Sequence, residues 1–213
     1  NDPNNWSSTS GGASLGCIPG PNTNVFFDAN SFNAIGDSVK IDYNAYCLSM
    51  DWSAATLNPK LTGDTTYSIN IHGDLEMINA MQAPFLGEII FTNTNNNTIN
   101  TNGLALNAEC IINAPGNWSL NSAFETSKNL RLEAGVFSSA GENLTLGGFY
   151  MTGTNNKTVT INGSTIDLTA DSLVWIANPT NLVYNFSGST IRLIHPQISP
   201  VIFNGGGLNY NNL

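Results

Sequence analysis

The chain has 213 residues, 41 % hydrophobic but only 10 % charged, and its six Lys plus Arg face fifteen Asp plus Glu for a net charge of −9. That balance excludes a general nucleic-acid binder, because neutralising phosphates takes clustered Lys and Arg, and it argues against docking on anionic membranes. No apolar run reaches the ~18 residues of a membrane-spanning helix. The 33 asparagines are interleaved with apolar residues at strand spacing, which describes an ordered chain rather than a disordered one.

Residues 1–24 read as an irregular capping segment, punctuated by Pro3, Gly11, Gly12, Gly16, Pro19, Gly20 and Pro21, with Trp6 as its anchor. Asn24-Val25-Phe26-Phe27-Asp28 opens the ordered part, and Asp37-Ser38-Val39-Lys40-Ile41-Asp42 alternates as a half-buried strand does. Ala45 to Trp52 is more continuously apolar. Tyr67 to Met77 alternates across Gly73, which suits two strand pieces meeting at a corner. Residues 78–86 come nearest to a helical pattern, but Pro84 interrupts them, so almost no helix is expected.

Beyond Glu88 one phrase recurs: a polar turn of Asn, Gly and Thr, then three to five alternating residues. Leu104-Ala105-Leu106, Cys110-Ile111-Ile112, Trp118-Ser119-Leu120, Val159-Thr160-Ile161 and Thr190-Ile191-Arg192-Leu193 are examples. Gly103 and Gly163 lie 60 residues apart, and Gly163 and Gly188 lie 25 apart. A recurrence of about 20–25 residues is that of a coiled stack of short strands.

The predicted fold is therefore all-β: a right-handed parallel β-helix over 25–213, forming one domain with the capping segment. The alternative is an antiparallel β-sandwich, whose strands run to about 5–8 residues between hairpins. Short strands with Asn and Gly at the corners favour the β-helix. Asparagine tolerates left-handed backbone at tight corners, and stacked amides can bond from coil to coil.

The order Val25-Phe26-Phe27-Asp28-Ala29-Asn30-Ser31-Phe32, Val39-Lys40-Ile41-Asp42-Tyr43-Asn44-Ala45-Tyr46-Cys47, Met50-Asp51-Trp52-Ser53 and Ile69-Asn70-Ile71-His72-Gly73-Asp74-Leu75 resembles β-helical modules of large secreted surface proteins of Bacteroidetes. These are exported by the type 9 system and include gliding-type giant adhesins. The start Asn1-Asp2-Pro3-Asn4-Asn5-Trp6-Ser7 is similar too. The resemblance implies an extracellular, cell-surface module, excised from a longer chain, with surface glycans and neighbouring modules of the same parent as partners.

Chemistry is sparse. His72 and His195 sit in no paired or triad motif, and no Gly-x-Ser-x-Gly or Ser-x-x-Lys occurs. A polysaccharide lyase needs Arg or Lys beside acidic calcium ligands, and a hydrolase needs carboxylates within ~5–10 Å of each other. Arg131 and Arg192 lie in strands with no close acidic pair in sequence; Glu109, Glu125, Glu133, Glu142, Asp167 and Asp171 are the available carboxylates. No catalytic residue is assigned.

Calcium takes six to eight oxygens, so Asp28, Asp37, Asp42 and Asp51 are calcium candidates, but a dense acidic loop is absent and turn capping accounts for the same residues. No other cofactor is expected. Cys17 and Cys47 can pair as a disulfide in an extracellular chain, leaving Cys110 free; alternatively all three are small buried hydrophobes. Seven Asn-x-Ser/Thr sequons, from Asn5 to Asn185, read as corner residues. Trp6, Trp118, Tyr150, Trp175 and Tyr184 form a sugar platform if exposed in one stripe, and core or end caps otherwise. Thr145, Thr158, Thr160, Thr165 and Thr190 raise an ice-binding reading, against which the missing Thr-x-Thr on every coil counts. The expectation is a non-catalytic adhesin module, with a polysaccharide-active enzyme or carbohydrate-binding module as the alternative and a pure spacer as a third reading.

Overall fold

Alternation sends one side chain inward and the next outward, and each alternating stretch here pairs in parallel with the stretch one turn earlier. In the computed structural model, which describes residues 2–194 and 200–213, this builds a parallel β-solenoid of about eight turns. No α-helix occurs among the described residues; a single 3₁₀ turn, Pro3–Asn5, lies in the capping segment. The first strand is Val25–Phe26.

The coil has three faces. On the first, Val25, Met50, Leu75, Ile99 and Leu120 stack in register, followed by Trp118 on Phe137, Val159 and Tyr184. The second runs from Ser38–Ile41 to Thr190–Leu193, and stacks Leu106, Thr126, Leu146, Leu168 and Leu193. The third runs from Ala45–Cys47 to Ile202–Asn204, and stacks Ala45, Ile69, Ile89, Cys110, Leu130, Phe149, Trp175 and Phe203. Inward columns are sealed: Trp52, Leu132, Phe137, Leu146, Val159 and Leu168 are all fully buried. Each such side chain contributes roughly 1.5–3 kcal/mol.

The strands do not all have the three to five residues expected. Glu109–Leu120 has 12, Phe124–Ser138 has 15 and Leu144–Met151 has 8. Pairing continues around the corners of these coils through register shifts, at Ile112/Asn113 and Asn113/Asn117 in one strand and Thr126/Asn129 in the next. Phe124–Ser138 thereby visits all three faces in a single run. Gly135 makes its corner at φ +90, where a methyl would sit 2.0 Å from the Ala114 carbonyl oxygen.

Asparagine acts differently from expectation. Of the described asparagines only Asn58, Asn102 and Asn181 adopt positive φ, and one amide bonds directly to its neighbour in the adjacent coil, Asn117 Nδ2 to Asn96 Oδ1 at 2.5 Å. More often a corner Asn or Asp accepts a backbone N–H one turn on. Asn44 takes Ser68 N–H at 3.1 Å, Asp74 takes Thr98 at 2.7 Å and Asn143 takes Thr165 at 2.9 Å.

Aromatic residues close both ends of the interior. At the N-terminal end Phe27 stacks on Trp52 at 3.8 Å, with Trp6 against Phe27 at 6.1 Å. At the other end Trp175 donates to Tyr210 Oη at 2.9 Å, and Phe203 and Phe186 stack around them. Trp118 and Trp175 are buried, so these aromatics serve as core and end caps rather than as an exposed stripe. The Cys17–Cys47 bridge is not formed. All three cysteines are free, because Cys47 points into the core beneath Ile71 while Cys17 lies exposed in the capping segment.

Candidate functional site

Because each rung repeats its inward register, outward residues also align. On the first face, Asn24, Ser49, Asp74, Thr98, Ser119, Ser138, Thr160 and Asn185 occupy one outward column across eight successive rungs. At a strand spacing of ~4.8 Å this column is roughly 34 Å long. Its members brace one another: Ser49 N–H bonds Asn24 Oδ1 at 3.3 Å, Asp74 N–H bonds Ser49 Oγ at 3.0 Å, and Thr98 Oγ1 bonds Asp74 at 3.0 Å. A parallel column, two residues or ~6.6 Å away along the strands, holds Asn96, Asn117, Val136, Thr158 and Val183. From Thr98 to Asn185 the two columns form a flat array of short side chains without a charge.

A shallow groove of about 360 Å³ borders this array at the corner between the third and first faces. Asn113, Asn155 and Asn156 supply its polar groups, and Ala114, Pro115, Ala134 and Gly135 its walls. Lys157 fixes the loop beneath it. Its ammonium is buried and donates to the carbonyls of Gly153, Asn155 and Thr180 at 3.0, 3.0 and 3.2 Å. Burial pulls its pKa below the usual lysine value.

Two ion-paired sites lie on the other faces. On the third, Arg131 joins Glu109 at 3.1 Å and also binds Glu133, all three about a quarter to a third exposed. Tyr150 follows Arg131 in the same outward column, donates to the Leu173 carbonyl at 2.7 Å, and has its pKa raised by burial and by the Glu109 charge. On the second face Arg192 clasps both oxygens of Asp167 at 2.6 Å, which raises the guanidinium pKa. The sequence reading that no acidic pair flanks Arg131 is thus corrected. Glu109 comes from the preceding coil, 22 residues away, and only register brings it there.

Compared with known proteins, the chain matches no family model, no curated protein and no solved structure.

Three of the four calcium candidates are used locally. Asp28 accepts the Asn30 N–H at 2.9 Å, and hydrogen bonds from Ser10, Asn30 and Ser31 hold its carboxyl below the usual range. Asp37 takes the Asn33 and Ala34 N–H groups at 2.8 Å, Asp51 takes Ser53 N–H at 2.7 Å, and Asp42 follows the strand Ser38–Ile41 on the surface. Among the described residues no three His, Cys, Asp or Glu side chains gather as metal ligands. His72 sits at a corner, its N–H bonded to Cys47 O at 3.0 Å; His195 lies outside the described residues. The threonines divide between faces: Thr158 and Thr160 join the first-face array, and Thr145, Thr165 and Thr190 lie on the second.

Proposed function

We propose that this chain is a non-catalytic binding module of a bacterial cell-surface adhesin, extracellular, and that its first face with the adjoining corner groove is the contact surface for glycan. The eight-rung polar column supports this reading. It offers hydroxyl and amide groups, with one carboxylate at Asp74, at a fixed repeat along ~34 Å, with short, mutually braced side chains that lose little freedom on contact. Many weak polar contacts along a repeating polymer add up, and neighbouring modules in a longer parent chain multiply them by avidity. The resemblance of residues 1–75 to secreted Bacteroidetes surface modules supports the same setting.

The test is retention on a panel of immobilised neutral and acidic polysaccharides, with and without Ca²⁺. Retention by at least one polymer is expected, lost in Ser119→Arg and Thr160→Arg and kept in Glu125→Arg on the second face. Equal retention by all three variants sinks the first-face assignment. A second reading, a polysaccharide-active enzyme, rests on Arg131 held between Glu109 and Glu133. Unsaturated or shortened products that vanish in Arg131→Met would favour it over the adhesin.

A further inference from the structure

We propose that the C-terminal end of the solenoid docks the N-terminal end of a second copy of this chain, head to tail. The second-face core column is sealed along its length and open at this end. Leu106, Thr126, Leu146 and Leu168 are at most 1 % exposed, whereas Leu193, stacked on Leu168, is 51 % exposed. On the third face Ile202, paired with Leu173, is 56 % exposed. The edge also accepts a further parallel rung. Asn212 bridges Thr190 in parallel and its carbonyl takes the Ile191 N–H at 3.1 Å. That contact covers the start of the strand and leaves Leu193 bare.

Charge selects the occupant. Residues 172–213 contain one arginine and no aspartate or glutamate, so the last strands lack the charges that ordinarily blunt an open edge. The first coil carries Asp28, Asp37, Asp42 and Asp51 against Lys40. End-to-end contact joins the least acidic end to an acidic one, while side-by-side contact sets like charges together. Geometry agrees, since Val25–Phe26, Ser38–Ile41 and Ala45–Cys47 visit the three faces in the same order as Leu182–Asn185, Thr190–Leu193 and Ile202–Asn204. Stacking sets the half-buried Val39 over Leu193, extending one apolar column from copy to copy. Such a contact is heterologous and does not close, so it gives short linear chains.

Sedimentation velocity on the 213-residue chain, over a concentration series at low and high salt, reads this out. The weight-average mass should climb from 22.7 kDa with concentration, and more steeply at high salt, which screens the repulsion between copies of net charge −9. Leu193→Glu and Val39→Glu should each stay monomeric, and their mixture should form dimers and nothing larger, because one retains a working head and the other a working tail. Ile202→Glu, at an already exposed position, gives the same loss if Leu193→Glu disturbs the last coil. A wild-type chain that stays at 22.7 kDa throughout, or a Val39→Glu variant that associates like wild type, overturns the proposal.

Discussion

Gly135 offers the sharpest test of how the coils are stacked. It combines φ +90 with backbone on top of it: a methyl group would lie 2.0 Å from Ala114 O and 2.7 Å from Gly116 O. A carbon normally rests ~3.3 Å or more from such an oxygen, so the coils must part by about 1.3 Å. They resist, because Gly135 N–H bonds Asn156 O at 3.0 Å on one side and Gly116 N–H bonds Asn93 O at 2.8 Å further up the stack. Left-handed backbone costs an alanine about 1–2 kcal/mol, and overpacking typically costs a further ~1–3 kcal/mol. Gly163 supplies the control. It has φ +74 but nothing within 4 Å of a new methyl, so Gly163→Ala bears the backbone cost alone. Gly135→Ala should therefore be less stable than Gly163→Ala by ~1–3 kcal/mol. At about 2–4 °C per kcal/mol for a chain of this size, the gap in melting temperature is roughly 2–12 °C. Thermal melts of both variants by far-ultraviolet circular dichroism measure it. Coincident melts would refute the close coil-to-coil approach at this corner.

Other outcomes follow from the buried polar groups. Thiol titration with a chromogenic disulfide should count one reactive cysteine, Cys17, in the native chain and three in denaturant; a native count of zero would restore the Cys17–Cys47 bridge. Burial pushes the Cys47 thiol from 9.0 up to about 12, and Cys110 higher still. Both folded pKa values are raised, so the stability they confer is complete below pH ~9 and is lost as the pH rises toward 12, by up to ~1.4 kcal/mol per pH unit for each thiol. Urea midpoints measured at pH 8 and pH 10.5 should fall, and should fall less in a Cys47→Ala/Cys110→Ala chain; identical slopes would contradict this. Lys157 works with the opposite sign, since its lowered pKa makes its contribution rise with pH toward 10.5. Lys157→Met strands three carbonyls and should cost about 1.5–3 kcal/mol, the range for hydrogen bonds to a charged group, read as a lower urea midpoint at pH 7.

The fold was legible because alternation, turn residues and strand brevity all act locally. Thr190-Ile191-Arg192-Leu193 is a strand in the structure with those bounds, and the stretch read from Asp37 to Asp42 holds the strand Ser38–Ile41. Where the sequence misled, the cause was a corner made without a turn. Cys110-Ile111-Ile112 and Trp118-Ser119-Leu120 read as two strands, yet the chain rounds Asn113 to Gly116 with its pairing shifted rather than broken, and they are one. The contact face was hidden for a different reason. Its column members Ser49, Asp74, Thr98, Ser119, Ser138, Thr160 and Asn185 are spaced 25, 24, 21, 19, 22 and 25 residues apart. No fixed period finds them, because each coil lets its corners grow or shrink while the inward side chains hold the register. The same packing that keeps Met50, Leu75, Ile99 and Leu120 in one line therefore fixes which polar residues line up outside. Selection on the core of such a solenoid sets the geometry of its surface, and selection on the surface is left with residue type alone: short and uncharged along the first face from Thr98 onward, and ion-paired on the other two.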